Sequence, residues 1–339
     1  MRINKLNIKI SNIVILIAAV SFVLVAPRIT AGYFMMVVNM GLIFAIAAFG
    51  VCVMLGIGGQ LSFATVSFMG FGAYFVANLT SGRMGIIMGS IPVIILMIIA
   101  TTVVAFSIGL VLFKLKSAYF TFATIGLVQV SWSFYLSYVP LFGGPDGISR
   151  IATFDIFGFR AEDFHQWFYI LVVFVLIVVF LVERIKCTQL GRSLAAIRDN
   201  EIAAQTLGIN IYMTKVIAFT IAGVLAAFAG ALYAMHSQFV SADMFTFERT
   251  TTYIIMAMLG GVNNTKGVLV GSMLVTLLPE WLRGMQQYLQ LIFGVSVILL
   301  MVFMPMGLAG LVTSVGKRLK RKLHVNKKLA TSTGMEAKR

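Results

Sequence analysis

The stretch IIMGSIPVIILMIIATTVVAFSIGLVL, residues 86–112, contains no charged residue and is long enough to cross a lipid bilayer as a single helix. The hydrocarbon core of a bilayer is about 30 Å thick, and a helix needs about 20 apolar residues to cross it. Similar charge-free windows occupy residues 29–82, 117–145, 164–182, 216–242 and 284–316. This pattern indicates an all-α integral membrane protein.

The composition agrees with a chain embedded in lipid. The 339 residues are 60% hydrophobic and 11% charged, whereas soluble domains are about 25% charged. The formal net charge is +15, but the basic residues flank the apolar windows and do not form the aromatic-interleaved patch that binds nucleic acid. The expected surroundings are a lipid bilayer, and no nucleic acid partner is expected.

Eight full membrane spans are predicted from these windows. They cover residues 8–26, 33–55, 61–79, 86–112, 118–139, 166–183, 213–235 and 290–311. Between the last two spans, the apolar runs 250–259 and 268–278 are each too short to cross about 30 Å of hydrocarbon as a helix. A broken or re-entrant pair of short helices is therefore predicted there, which puts the total between eight and ten spans.

The distribution of basic residues predicts the orientation. An even number of spans leaves both termini on one side, and most of the 26 Lys and Arg residues fall in the loops and tail of that side. Because cytoplasmic loops carry the excess of Lys and Arg, both termini are predicted to be cytoplasmic. The expected organisation is a transmembrane domain over residues 1–316, with a cytoplasmic segment at 187–212, and a basic cytoplasmic tail over residues 317–339.

The longest polar passage between two apolar windows is GRSLAAIRDNEIAAQTLGIN, residues 191–210. Its apolar residues recur at helical spacing, and Asn200 is a good N-cap for a second short helix that would stop at Gly208. The passage therefore predicts two short cytoplasmic helices with a corner at Arg198, Asp199 and Asn200. A solvated helix that only connects two spans is the alternative.

Together with the following KVIAFTIAGVLAAFAGALYA, residues 215–234, this passage resembles the cytoplasmic signature of the M-type permease subunits of bacterial ABC importers for branched-chain amino acids. The resemblance extends over most of the chain, because further pieces match in the family order. They are GIGGQLSFATVSFMGFGAY at 56–74, KLKSAYFTFATIGLVQV at 114–130, FGGPDGIS at 142–149, MLGGVNNTKGVLVGSMLVTLLPEWLR at 258–283 and FMPMGLAGL at 303–311. Closely related permeases serve urea importers, so urea or a short amide is the alternative substrate to leucine, isoleucine and valine.

The resemblance implies that the polar passage is a coupling segment that docks on a cytoplasmic ATPase subunit. The residues implied in this contact are Arg192, Arg198, Asp199, Asn200 and Glu201. The chain has no G-x-x-x-x-G-K-[ST] phosphate-binding loop, so ATP and magnesium are expected on two separate ATPase subunits, with no cofactor in this chain. The resemblance also implies a second, H-type permease subunit and a place in the bacterial inner membrane.

Polar residues inside the apolar windows are candidates for a substrate pathway. Gln60, Ser62 and Thr65 follow the helix-breaking GIGG at 56–59, where a new helix would direct free backbone N–H groups into the membrane domain. Gln129 in the predicted span 118–139 is a further candidate for this pathway. The turn GGVNNTKG adds Gly260, Gly261, Asn263 and Asn264, at a break of the kind where transporters handle substrate. The alternatives are close helix packing for the polar residues of the spans and an interfacial location for the turn.

One long loop, PLFGGPDGISRIATFDIFGFRAEDFHQ at 140–166, is predicted on the side opposite to the termini. It begins with a turn signal and contains four acidic residues, Asp146, Asp155, Glu162 and Asp163. The resemblance implies that an extracytoplasmic solute-binding protein docks on this loop.

Two other classes of membrane protein are alternatives. A stand-alone carrier coupled to protons usually keeps an ionisable residue in the membrane, and the charge-free windows contain no carboxylate. Sodium coupling through neutral groups, or a channel, stays open. A membrane enzyme would need a cluster of acids, histidines or nucleophiles, but His165, His236 and His324 lie in separate regions and predict neither a metal site nor a catalytic site.

Overall fold

A computed structural model describes residues 32–83, 88–115, 117–156 and 159–281, together with the isolated positions 291, 294, 295 and 298. The helices are α1 (Gly32–Val51, continued by a π-helix over Cys52–Ile57), α2 (Thr65–Thr80), α3 (Ser90–Leu112), α4 (Ser117–Ser137), α5 (Val139–Phe142), α6 (Phe164–Cys187), α7 (Gln189–Asp199), α8 (Glu201–Thr206), α9 (Ile211–Ser237), α10 (Phe247–Gly260) and α11 (Thr265–Trp281). Short 3-10 turns cover Gly144–Asp146 and Ala242–Phe245. Four two-residue strands form antiparallel pairs, β1 (Ile148–Ser149) with β4 (Phe239–Val240) and β2 (Asp155–Ile156) with β3 (Phe159–Arg160).

Four described helices are long and apolar enough to cross a membrane: α1 with its π-helical end, α3, α6 and α9. A fifth candidate is Ala118–Ser137 followed by Val139–Asp146, which is bent by 85°. The class of all-α membrane protein therefore fits, but the predicted number of eight full spans is not confirmed. The predicted spans 8–26 and 290–311 and the tail 317–339 lie outside the described residues, apart from the four isolated positions.

Helix α9 is the centre of the packing. It lies against α1, α2 and α3, and its buried residues are rich in alanine and glycine. Small residues let helix backbones approach closely in a membrane, where van der Waals packing drives much of the association. A Cβ atom on Gly230 would lie 1.9 Å from the carbonyl oxygen of Met69, so the observed contact between α9 and α2 requires glycine at this position.

The helix in the predicted span 61–79 is shorter than expected. Helix α2 begins only at Thr65 and has 16 residues, and the backbone over residues 58–64 before it is not helical. Thr65 and Gly50 of α1 line the same small internal cavity, so α2 begins inside the bundle and not at its end. The helix-breaking GIGG therefore produces a broken span, which apolar composition alone does not distinguish from a continuous one.

Helices α10 and α11 form the predicted pair of short helices, and they pack against each other on either side of the turn 261–264. Helix α11 lies antiparallel along α1. The Cys52 thiol donates to the Val262 carbonyl oxygen at 2.8 Å near one end, and the Tyr33 hydroxyl donates to Glu280 at 2.8 Å near the other. The 17 residues of α11 therefore reach between the two ends of α1.

The polar passage forms the two short helices that the sequence predicts. Helix α7 ends at Asp199, and the Asn200 side chain caps α8 by accepting a hydrogen bond from the Ala203 backbone N–H at 3.0 Å. Gly208 takes a left-handed backbone conformation (φ 79°) just after α8. The predicted corner, cap and stop are confirmed.

Candidate functional site

A single arginine holds the end of the bundle at the corner between α7 and α8. Arg198 Nη1 donates to the carbonyl oxygen of Gly56 at 2.7 Å and to Oδ1 of Asn263 at 3.2 Å. Its Nε and Nη2 donate to Oδ1 of Asp199 at 3.3 and 3.2 Å. One guanidinium thus connects α7 to the end of α1 and to the turn between α10 and α11. We call these four residues the joint.

Two glycine-containing motifs pack directly against each other at the joint. A Cβ atom on Gly56 would lie 2.1 Å from the carbonyl oxygen of Val262, so no larger residue permits this contact without a backbone shift. The Cys52 thiol donates to the same oxygen at 2.8 Å. The break at 56–59 and the turn 261–264, which the sequence presents as separate features, are therefore one structural unit.

A lysine of α6 fixes the same turn from another direction. Lys186 Nζ lies 3.0 Å from the backbone oxygen of Asn263, 2.6 Å from Oγ1 of Thr265 and 3.0 Å from Oε1 of Glu183. The Thr265 hydroxyl also donates to Glu183. Charge-assisted hydrogen bonds are stronger than neutral ones, so α1, α6 and α7 together hold the turn 261–264 in place.

An ion pair ties α8 to the start of α9. Lys215 is buried, and its Nζ lies 2.9 and 3.0 Å from the two carboxylate oxygens of Glu201. Both residues line a cleft of about 630 Å³, which Gln60 and residues at the ends of α3 and α4 also border. Because a buried ammonium without a counter-charge is costly, Glu201 keeps α8 against the bundle.

The five residues implied in coupling fall into two groups. Arg198 and Glu201 direct their charged groups onto their own chain, and both side chains remain partly exposed. Arg192, Asp199 and Asn200 are exposed, and Arg192 donates to the Cys187 carbonyl oxygen at 2.8 Å. Arg198 reaches acceptors 142 and 65 residues away in the sequence, whereas Glu201 pairs with Lys215 at a separation of 14 residues.

Two exposed apolar residues near the corner were not singled out from the sequence. Ile202 on α8 is 77% exposed and Leu207 just after α8 is 79% exposed. Both stand on a polar segment outside the apolar spans, so lipid does not account for them. Exposed apolar residues on a polar segment are candidates for a contact surface. The sequence feature that could have identified them is a large aliphatic residue within or just after a short polar helix, and this helix buries only Ala204.

The structure brings together some of the predicted pathway residues and separates others. Gln60 lines the cleft beside Glu201, and Asn263 belongs to the joint. Ser62 is buried, and its hydroxyl accepts a hydrogen bond from the Ala64 backbone N–H at 3.3 Å, just before α2 begins. Gln129 is exposed on α4 and does not line this cleft.

The remaining predicted pathway residues shape the turn and the start of α2. Thr65 is the first residue of α2 and is half-buried. Gly260 ends α10 and Gly261 follows it, while Asn264 Oδ1 accepts hydrogen bonds from the backbone N–H groups of Lys266 and Gly267 at 3.1 and 3.3 Å. Asn264 therefore caps α11, which gives it a structural role whatever else the turn does.

The four acidic residues of the loop 143–163 have different local roles. Asp146 and Glu162 are exposed, and Asp155 forms a 3.7 Å ion pair with Arg160. Asp163 is the N-cap of α6 and forms a capping box with Gln166. The loop itself is anchored, since it buries apolar residues and its strand β1 pairs with β4 after α9. Across the described ranges, no group of three or more His, Cys, Asp or Glu residues could hold a metal ion.

Comparison with known proteins gives a consistent family. The family described as branched-chain amino acid transport system / permease component matches residues 33–305. The high-affinity branched-chain amino acid transport system permease protein LivM of Escherichia coli is 28% identical over 88% of this chain and 74% of its own length. The probable LivM permease of Methanocaldococcus jannaschii is 26% identical over 75% of this chain and 81% of its own length.

A further relative is of the second permease type. The probable branched-chain amino acid transport permease protein LivH of Methanocaldococcus jannaschii is 25% identical over 49% of this chain and 54% of its own length. No solved structure matches the chain.

Proposed function

Since the chain belongs to the branched-chain amino acid permease family, we propose that it imports leucine, isoleucine and valine as the M-type membrane subunit of an ABC importer, and that the joint transmits the force of ATP hydrolysis. Its relatives are permease subunits, so the chain is a transport subunit and not an enzyme. It is a multi-pass membrane protein, and we place both termini and the α7–α8 corner in the cytoplasm on the excess of basic residues there.

The observation that supports force transmission most directly is the set of contacts made by Arg198. A short helix moves a membrane bundle only if it is connected to it stiffly. Arg198 reaches both the π-helical end of α1 and the turn before α11, and Glu201 binds buried Lys215 of α9. A displacement of the corner would therefore reach three long helices through short charge-assisted bonds.

We assign the outer face of the corner to the ATPase. Ile202 and Leu207 supply an apolar contact, and the exposed Arg192, Asp199 and Asn200 surround it with polar groups. Two such ATPase subunits would carry ATP and magnesium, one beneath this chain and one beneath a second, H-type permease subunit. The similarity to a LivH relative supports a paired arrangement of two homologous permeases.

On the opposite face, the anchored loop 143–163 would receive an extracytoplasmic solute-binding protein through Asp146 and Glu162. Between the two faces, the broken span at 58–64 supports a solute pathway. Helix α2 begins inside the bundle at Thr65, and backbone N–H groups at the start of a helix favour an anionic group such as a carboxylate. Gln60 would lie where this pathway opens into the cleft of about 630 Å³.

The double substitution Arg198→Glu with Glu201→Lys tests the coupling role. It reverses both charges that tie the corner to the bundle, so we expect leucine uptake by the reconstituted complex to fall by at least tenfold. The chain should still insert and still associate with the second permease. The matched control is Arg184→Glu, which reverses an exposed charge in the last turn of α6, close in sequence to α7. This variant should retain uptake.

Three results would contradict this function. Unchanged uptake and ATPase association in the double variant would show that the corner only connects two spans and does not transmit force. Accumulation of leucine by vesicles that contain only this chain and no nucleotide would favour a stand-alone carrier or channel. Stimulation of ATP hydrolysis by urea or a short amide, and not by leucine, would show that the transported substrate is urea or a short amide.

A further inference from the structure

A second cavity lies within the bundle, away from the joint and its cleft. It has a volume of about 200 Å³, and its walls come from α1, α2, α9 and α10. Among its lining residues are Met40, Phe44, Met69, Tyr233, Arg249 and Tyr253. Met40 and Phe44 stand between the ends of α1, which runs from Gly32 to the π-helical residue Ile57, so the cavity is deep within the span.

Arg249 is the one charged residue among the described residues that line this cavity. Within the described parts of the chain, its guanidinium has no hydrogen bond and no ion pair, although Asp243 and Glu248 are close in sequence and exposed. An arginine that lines a cavity between membrane helices is a candidate for a substrate or ion pathway. Arg249 is also exposed, so the cavity is open on the face of α10.

The backbone adds to the positive potential at the same place. Arg249 belongs to the first turn of α10, which begins at Phe247, and Thr246 provides no side-chain cap for that helix. The first N–H groups of a helix and its dipole favour a negative charge, whereas a cation in the first turn is unfavourable. Glu248 in the same turn already places one negative charge at this end of α10, and the Arg249 guanidinium with the first N–H groups of the helix can bind a further anionic group.

The other walls suit the remainder of an aliphatic amino acid. Met40 and Met69 provide flexible apolar surface that adapts to different branched side chains. Phe44 packs against Tyr253 with ring centroids 5.5 Å apart and against Tyr233 at 6.3 Å, so these three rings and Phe245 border the same space. Aromatic ring faces attract an ammonium group. The volume is smaller than the roughly 300–1,000 Å³ of sites for drug-sized ligands, as a small solute requires.

We propose that this cavity binds the transported amino acid inside the membrane, with the carboxylate on Arg249, the α-ammonium group at the rings of Tyr233 and Tyr253, and the aliphatic side chain against Met40, Phe44 and Met69. The proposal rests on the proposed function as a permease. It adds a defined binding site, which the residues near GIGG and the turn 261–264 do not provide. It also explains how the membrane subunit itself would prefer an aliphatic zwitterion over an uncharged solute.

Substitution of Arg249 tests the carboxylate contact. The full complex with both permeases and the ATPases is reconstituted in vesicles with saturating solute-binding protein, and labelled leucine uptake and ATP hydrolysis are measured together. Arg249→Gln should lower uptake by at least tenfold, because a bidentate charge-assisted pair is lost. ATP hydrolysis stimulated by the binding protein should stay within about twofold of wild type. Arg249→Lys should keep more uptake than Arg249→Gln, and Arg83→Gln, an exposed arginine that donates to the Val139 carbonyl oxygen, is the control.

A change in the apolar wall provides an independent measurement. Met40→Trp reduces the space for the side chain, so the ratio of leucine to alanine uptake should fall by about fivefold, whereas Met40→Leu should preserve the ratio. Uptake by Arg249→Gln within twofold of wild type would overturn the proposal. So would the loss of both uptake and stimulated ATP hydrolysis in a normally assembled Arg249→Gln complex, since that result assigns Arg249 to an interface. A wild-type complex that transports no branched-chain amino acid contradicts the proposed function instead, and this is measured before any variant is compared.

Discussion

Two arginines of this chain contact the helix bundle and differ in their partners. Arg198 at the joint donates to a backbone oxygen, an amide oxygen and a carboxylate that all belong to its own chain. Arg249 lines the cavity of about 200 Å³, and within the described residues its guanidinium has no such partner. One arginine is already engaged in holding helices together, whereas the other is available to bind something else.

The difference shows how a transporter can use the same side chain for two purposes. A guanidinium whose donors are satisfied within the chain makes a stiff connection, because breaking it would leave buried acceptors unpaired. A guanidinium that lacks partners within the chain keeps its donors available for a charge-assisted bond to an anion. Mechanical coupling requires the first arrangement, and reversible binding of a solute requires the second.

The largest expected effect that separates the two arginines is on stability. Arg198→Met removes the donor to Gly56 and Asn263, so the free energy of unfolding should fall by about 1–3 kcal/mol. Arg249→Met removes a charge without an internal partner, so the stability of the complex should stay the same or rise. Thermal unfolding of both variants in the same detergent measures this difference. Equal losses of stability in the two variants would contradict the difference between Arg198 and Arg249 in their internal partners.

A smaller effect is expected at the second connection of the corner. Glu201→Gln keeps the shape of the side chain but removes the charge that faces Lys215, and we expect a loss of about 1 kcal/mol because Glu201 is half-exposed and its ion pair is screened. A double-mutant cycle with Lys215→Met isolates this interaction. Strictly additive effects of the two substitutions would show that α8 is not tied to α9 through this pair.

The smallest effect is expected on the opposite face, where the loop would dock a binding protein. Asp146→Lys should raise the concentration of loaded binding protein that gives half-maximal uptake by about threefold, because a charge at the rim of an interface mainly affects association. Its thermal stability should not change. Asp163→Lys should also destabilise the chain by about 1 kcal/mol, because Asp163 caps α6. Unchanged uptake at limiting substrate in both variants would show that the binding protein does not dock on this loop.

Features that depend on neighbouring residues were predictable from the sequence. The cap at Asn200 and the stop at Gly208 follow from the local chemistry of a few residues, and the structure has both. The pair of short helices around GGVNNTKG was also expected. The span 61–79 was predicted as a full helix, but the backbone at 58–64 is not helical, because the apolar character of a segment does not reveal its backbone conformation.

The functional grouping of residues was only partly predictable. The role of Arg198 at a contact with another protein stays a prediction, whereas the hydrogen bonds of its guanidinium to Gly56 and Asn263, which are 142 and 65 residues away along the chain, were not predicted. Nothing in the local sequence indicates such distant partners. Arg249 lies between two apolar windows and is unremarkable as a sequence position, since its cavity exists only where four helices converge.

The amino-acid sequence by itself determined the membrane class, the helix caps and breaks, and the family resemblance. These properties follow from hydrophobicity and from interactions over a few residues, which a linear pattern records. The tertiary structure alone decided that the GIGG break packs against the GGVNNTKG turn at the joint, and that Arg198 is satisfied within the chain while Arg249 faces an open cavity. The physical reason is that the partners of a charged side chain are set by the packing of helices that are distant in sequence.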